Sequence, residues 1–125
     1  MKPSETFVKK LKQLEESHTP DPLLDLFTEQ SKLMRLNSDE FYEGREGARS
    51  FWNEYLSLFK EIRSSFTNII DAGNTAVLEW EAEGLFESGE PIRYRGISVV
   101  EFDGEKVRGF RSYYDSERFT QTAHA

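Results

Sequence analysis

Three glutamates spaced by two, Glu79, Glu81 and Glu83, alternate with Leu78, Trp80 and Ala82 in the run from Thr75 to Phe86. Alternation with a period of two marks a β-strand, so the carboxylates share one face and the tryptophan edge the other. Successive side chains on one strand face stand roughly 6–7 Å apart. Inside a cavity, two carboxylates at that spacing oppose each other's ionisation and desolvation adds to the effect, so one stays protonated near neutral pH. That is how a carboxyl pair becomes a general acid beside a general base, and it makes Glu81 and Glu83 the candidate catalytic residues. Tyr55, Tyr94 and Tyr114 supply phenols that can donate to a substrate carbonyl, the apparatus for enolisation or dehydration next to a ketone. Hydrophobicity taken alone gives the opposite facing, with Trp80 in the core and the glutamates solvated or salt-bridged.

Arg35 is the cation that would hold such carboxylates ionised if alternation sends it inward beside Leu33 and Asn37; the opposite facing, with Met34 and Leu36 inward, makes it a surface side chain. Trp52, Tyr55, Phe59, Phe110 and Tyr114 read first as core and second as pocket wall, since the two are often the same residues. His18 lies in the break Ser17-His18-Thr19-Pro20 and His124 near the C-terminus, neither with a metal-ligand neighbour at useful spacing. No metal or cofactor is expected. The 125 residues carry 16 Lys and Arg against 23 Asp and Glu, a net charge of −7 that disfavours nucleic acid and anionic membranes as partners. With no cysteine, no long apolar stretch and no signal-like leader, the chain reads as one cytoplasmic domain over residues 1–125.

These residues must be positioned by a small set of elements. Ser4 to Ser17 has helical spacing, with Phe7, Val8, Leu11 and Leu14 on one face. Thr19-Pro20-Asp21-Pro22 breaks it, and Asp21 starts a second helix to about Glu29. Lys32 to Asn37 reads as a short strand. Gly44 to Phe59 is a third helix, apolar around so much of its circumference that it must lie on a sheet. From Ile62 onward the pattern is a four-stranded meander with turns at Ala72-Gly73-Asn74, Glu87-Ser88-Gly89-Glu90 and Asp103-Gly104-Glu105, ending in Val107 to Asp115. The class is α+β: a curved antiparallel sheet packed on one side by three N-terminal helices. Both faces of that sheet carry apolar residues, so a second copy of the chain is the expected second cover.

Leu78-Glu79-Trp80-Glu81-Ala82-Glu83-Gly84, Tyr94-Arg95-Gly96-Ile97-Ser98-Val99, Phe102-Asp103-Gly104-Glu105-Lys106-Val107 and Phe110-Arg111-Ser112-Tyr113-Tyr114-Asp115 together resemble the SnoaL-like group of the nuclear-transport-factor-2-like superfamily. The resemblance implies a cone whose concave sheet face and helices enclose a pocket, and dimers joined through the outer sheet face. Overlay on the limonene epoxide hydrolase branch implies that Glu81 and Glu83 face the pocket, in place of that branch's catalytic Arg and Asp, with Ser112 in place of its second Asp. The Arg-Asp-Asp chemistry therefore does not carry over. It also implies a pocket bordered by Arg35, Trp52, Tyr55, Tyr94, Phe110, Ser112 and Tyr114, and a homodimer through Leu78, Trp80, Arg95, Ile97, Val99, Arg111 and Tyr113. Two functions stand: an isomerase- or lyase-type enzyme acting on a hydrophobic carbonyl compound, and a non-catalytic binder of a small apolar or cationic molecule.

Overall fold

A computed structural model of the chain describes residues 1–35 and 39–119. Leu36 and Asn37 of the expected short strand, and His124, lie outside the described residues. Helix α1 (Pro3–Ser17) has proline in its first turn, and the Glu5 carboxylate accepts the Lys2 N–H at 3.1 Å. It stops at His18, which takes a left-handed backbone with φ 56°. After the proline break, α2 (Asp21–Leu24) is one turn long.

The second helix is shorter than its sequence pattern because a strand begins before it can continue. Leu26 O accepts the Val107 N–H, and Phe27 is already in register with Val107. Strand β1 (Phe27–Arg35) thus starts five residues ahead of Lys32, across a bulge plugged by Ser31, whose hydroxyl accepts the Thr28 N–H and donates to Val107 O. A two-residue β2 (Tyr42–Glu43) leads into α3 (Gly44–Ser57). That helix ends two residues before Phe59, because Phe59 opens β3 (Phe59–Ala72) and is fully buried there. Strands β4 (Thr75–Phe86), β5 (Pro91–Asp103) and β6 (Lys106–Tyr114) complete the meander.

The six strands form one sheet in the order β2-β1-β6-β5-β4-β3. It is mixed rather than wholly antiparallel: β1 runs parallel to β6, which follows from α3 and the meander separating them in the chain. Helix α1 lies on β3 and α3 on β1, so the helices cover one face. A fourth helical turn at 117–119 brings Phe119 against Phe59, Phe86, Tyr94 and Tyr114. Among the described residues no helix is long and apolar enough to cross a membrane.

The two faces of β4 are assigned by burial. Ala76, Leu78, Trp80 and Ala82 lie under the helices at 1%, 1%, 8% and 1% exposure. Glu79, Glu81 and Glu83 point to the opposite, outer face, where Glu81 and Glu83 are exposed. The inward facing taken from the family overlay is therefore overturned for Glu81 and Glu83, and the outward placement of Leu78 and Trp80 with it. Hydrophobicity decides the matter: turning β4 over would bury three carboxylates and put an indole and a leucine in water. Because the side-chain period is two, an overlay displaced by one residue exchanges the faces completely.

Candidate functional site

The inner face is arranged in rows set by the strand register. One row joins Arg35 of β1 to Ser112 of β6 and Ser98 of β5; the next runs Tyr114, Gly96, Trp80, Phe66; the third pairs Tyr94 with Ala82 and Ser64. Glycine at 96 is what lets the Trp80 indole lie across the sheet, since a Cβ there would stand 2.7 Å from Trp80 Cζ2 and 2.4 Å from Tyr113 O. So placed, the indole Nε1–H donates to Ser98 Oγ at 2.9 Å, and Ser98 and Ser112 hydroxyls share a further bond at 3.2 Å.

Between this face and helices α1 and α3 is a cavity of about 60 Å³ whose mouth is partly open to solvent. All seven residues expected to border a pocket line it: Arg35, Trp52, Tyr55, Tyr94, Phe110, Ser112 and Tyr114. Glu81 and Glu83 do not. Glu83 instead lies between Arg63 and Arg93, whose Nη2 atoms donate at 3.3 and 3.1 Å and hold its carboxyl below the ordinary value.

The acid that does line the cavity is Glu15 of α1. Its Oε1 accepts the Ser64 N–H at 3.0 Å and its Oε2 the Ser64 hydroxyl at 2.5 Å. Burial pushes its carboxyl above 4.5, against the lowering effect of those two bonds, so desolvation is the stronger influence. Its signal in the sequence is a carboxylate four residues after Leu11 and eight after Phe7, on an otherwise apolar helix face. Phe51, Ser64, Phe66, Trp80, Ser98 and Phe119 are the other lining residues outside the expected set on which this geometry rests.

Tyr94 donates to Tyr55 at 3.3 Å. Burial raises both phenols, Tyr55 far above the ordinary value, and the negative charge of Glu15 acts on both in the same direction. They are therefore donors and not bases. On the α3 side, Arg35 Nη2 donates to Phe51 O at 2.9 Å, its guanidinium carbon sits 4.4 Å from the Phe51 ring centre, and Glu54 is 3.7 Å away. The Trp52, Phe51 and Phe110 rings form the apolar wall next to it, with centroids 4.9 to 5.7 Å apart. Among the described residues no group of three or more His, Asp or Glu side chains is arranged to hold a metal ion, and His18 sits apart at the end of α1. The arrangement can hold an apolar ring, donate to an oxygen, and accept a proton at one buried carboxylate.

The same architecture recurs in solved structures. An NTF2-like protein from Anabaena variabilis superposes with a TM-score of 0.84 at 22% identity, covering 93% of this chain and 89% of that one. A Catenulispora acidiphila protein of ketosteroid isomerase-like fold, solved with trimethylamine, gives 0.81 at 17% identity over 94% and 92%. A protein from Jannaschia described as a SnoaL-like polyketide cyclase gives 0.78 at 15% identity over 94% and 90%. At these identities the likeness speaks to fold alone. No curated protein matches the sequence significantly. The SnoaL-like domain family model, however, matches residues 8–110, from the apolar face of α1 to Phe110 in β6, and on that match the chain belongs to the SnoaL-like family.

Proposed function

We propose that the cavity performs proton transfer on a hydrophobic carbonyl compound, with Glu15 as the general base and Tyr55, which itself accepts from Tyr94, donating to the carbonyl oxygen. Glu15 takes a proton from the carbon next to the carbonyl; the electron pair moves onto oxygen as an enolate, which the phenols stabilise; the proton then returns to a different carbon or a β-leaving group departs. Isomerisation and dehydration share that first step. The observation that carries this reading is Glu15, the one carboxylate among the described lining residues, raised toward neutrality in an aromatic cavity. The neighbours described as a polyketide cyclase and as ketosteroid isomerase-like in fold support it by analogy. The test is exchange of the α-protons of 2-tetralone in D2O followed by NMR. Glu15→Gln should slow exchange by ~10²–10⁴-fold while 2-tetralone still binds; equal rates in the two proteins would end the proposal.

Non-catalytic binding is the second reading, favoured by one observation: both oxygens of Glu15 already accept from Ser64. Under it, 2-tetralone or a similar ring compound binds with no exchange beyond the uncatalysed rate.

We also propose that the chain is a homodimer through the outer sheet face. The patch keeps Arg95, Ile97, Val99, Arg111 and Tyr113 from the expected set, and gains Val77 and Ile70 in place of Leu78 and Trp80. Ile70, Ile97 and Tyr113 are 48%, 41% and 43% exposed, a contiguous apolar group rimmed by ion pairs, which is how interfaces are composed. Light scattering should give twice the chain mass at micromolar concentration and a single chain mass for Ile97→Asp; a monomeric parent protein would refute it.

A further inference from the structure

The hydrogen-bond balance of the cavity is lopsided. At the α1 side, Glu15 offers two acceptor oxygens and both are engaged by Ser64. At the α3 side, donors exceed acceptors. Arg35 has five N–H groups, one of which donates to Phe51 O, and its Nε is buried with no partner among the described residues. Glu54, the nearest acid, is 3.7 Å away and half exposed. Ser112, Arg35's neighbour across the β1–β6 ladder, shares one hydrogen bond with Ser98, whose oxygen already accepts from Trp80. Two hydroxyl hydrogens serve one bond, so the second needs an acceptor. Trp52 Nε1 on the same wall is also buried without a partner among the described residues. A buried donor left unpaired is destabilising, and the one acid paired with the guanidinium among the described residues, Glu54, reaches Nη2 from a half-exposed position and leaves the Nε edge unmet.

We infer that the Arg35–Ser112–Ser98 end seats an anionic oxygen of the ligand, making the preferred ligand a hydrophobic ring compound that carries a carboxylate or a comparably acidic enol. This names the ligand class for the site proposed above and rests on its reading as a small-molecule pocket. The guanidinium is planar and permanently charged, and a carboxylate can accept from its Nε edge while a second oxygen takes the serine hydroxyl. The aromatic rings of Phe51, Trp52 and Phe110 then take the apolar body. Arg35 on β1 and Ser64 on β3 are four ladder spacings apart, roughly 19 Å along the sheet at ~4.8 Å per strand, and Glu15 reaches inward from the far end. The two charges act on Tyr94 in opposite directions, Glu15 raising and Arg35 lowering its phenol, which places that hydroxyl within the field of both. An oxyanion held at Arg35 therefore sits clear of Glu15, and the bond to be ionised can lie between them.

The experiment compares naphthalene-2-carboxylate with 2-naphthalenemethanol, matched in ring and differing in charge, by quenching of tryptophan fluorescence in the full chain at pH 7. The carboxylate should bind at least tenfold tighter. Arg35→Met should remove that preference while leaving the alcohol within about twofold, and Arg35→Lys should keep part of it. Equal or tighter binding of the alcohol by the unmodified protein overturns the inference, a result that needs no variant to fold. Equal weakening of both probes by Arg35→Met also overturns it. If neither probe binds, the small-molecule reading falls together with the anion seat. A clear carboxylate preference without 2-tetralone exchange would uphold the seat and remove only the catalysis.

Discussion

Glu15 and Glu83 are both partnered carboxylates, and they differ in nearly everything else. Glu83 stands on the outer face in water between two arginines, which favour its ionised form. Glu15 stands on the inner face between α1 and β3, held by an amide and a hydroxyl with no cation bonded to it among the described residues, and burial disfavours its ionised form. An exposed ion-pair row is a common way to decorate an outer sheet face and contributes little. A desolvated acid in an aromatic cavity is unfavourable for folding unless something is gained from it, and this is the kind of position where functional acids are found. What separates them is environment, since the chemical group is the same.

The contrast is sharpest in catalysis. Glu15→Gln should cost ~10²–10⁴-fold in 2-tetralone exchange, whereas Glu81→Gln and Glu83→Gln should leave the rate unchanged; a loss in either outer-face variant comparable to that in Glu15→Gln would restore the acidic row as the site. Next comes the strand that separates the two. Trp80→Ala empties an inner-face position buried to 8% exposure and should destabilise the chain by about 3–5 kcal/mol in urea unfolding, with Glu81→Ala close to neutral. Gly96→Ala should cost about 1–3 kcal/mol, because the new methyl meets Trp80 and a β6 backbone carbonyl that cannot move aside. An unaltered midpoint would mean the indole does not lie where the ladder puts it.

The smallest effects are in pH dependence, and they have opposite signs. Glu15 has a folded value above its unfolded one, so the stability it contributes is complete below about pH 4.5 and is lost as pH rises through its folded value. Glu15→Gln should gain on the parent protein over that rise. Glu83 is held below 4.5, so its contribution is present above that pH and disappears as pH falls through its folded value. Urea midpoints of Glu15→Gln and Glu83→Gln against the parent protein, from pH 3 to pH 7, should therefore diverge in opposite directions. Parallel curves would show that the two carboxylates share one environment.

Much of the architecture was readable from local patterns. The meander followed from alternation and from turn signals such as Asp103-Gly104, where glycine takes φ 63°. The five aromatic wall residues, Trp52, Tyr55, Tyr94, Phe110 and Tyr114, were readable because aromatic side chains on an inner face belong to core or to pocket, and in a cone those are the same place; Arg35 and Ser112 carried no such signal. Where local patterns misled, a nonlocal contact was responsible. The helical spacing of Leu23 to Glu29 gave way to a ladder with Val107, some eighty positions away, and Phe59 left its helix for the sheet. The facing of β4 shows the converse. Simple hydrophobicity placed Trp80 and the glutamates correctly, and an overlay on a distant family branch turned them over.

The chain's own order of residues settled the helices-then-meander order, the family and the inward aromatic edge of the strands, because each depends on spacing between near neighbours. Which carboxylate entered the cavity was decided only on folding. Glu15 carries no mark that separates it from Glu16 except its place on a helical face, and its partner Ser64 is 49 positions further along. Desolvation and that bond exist only once α1 lies on β3, so the property that makes Glu15 a candidate base belongs to the assembled structure and to no segment of it.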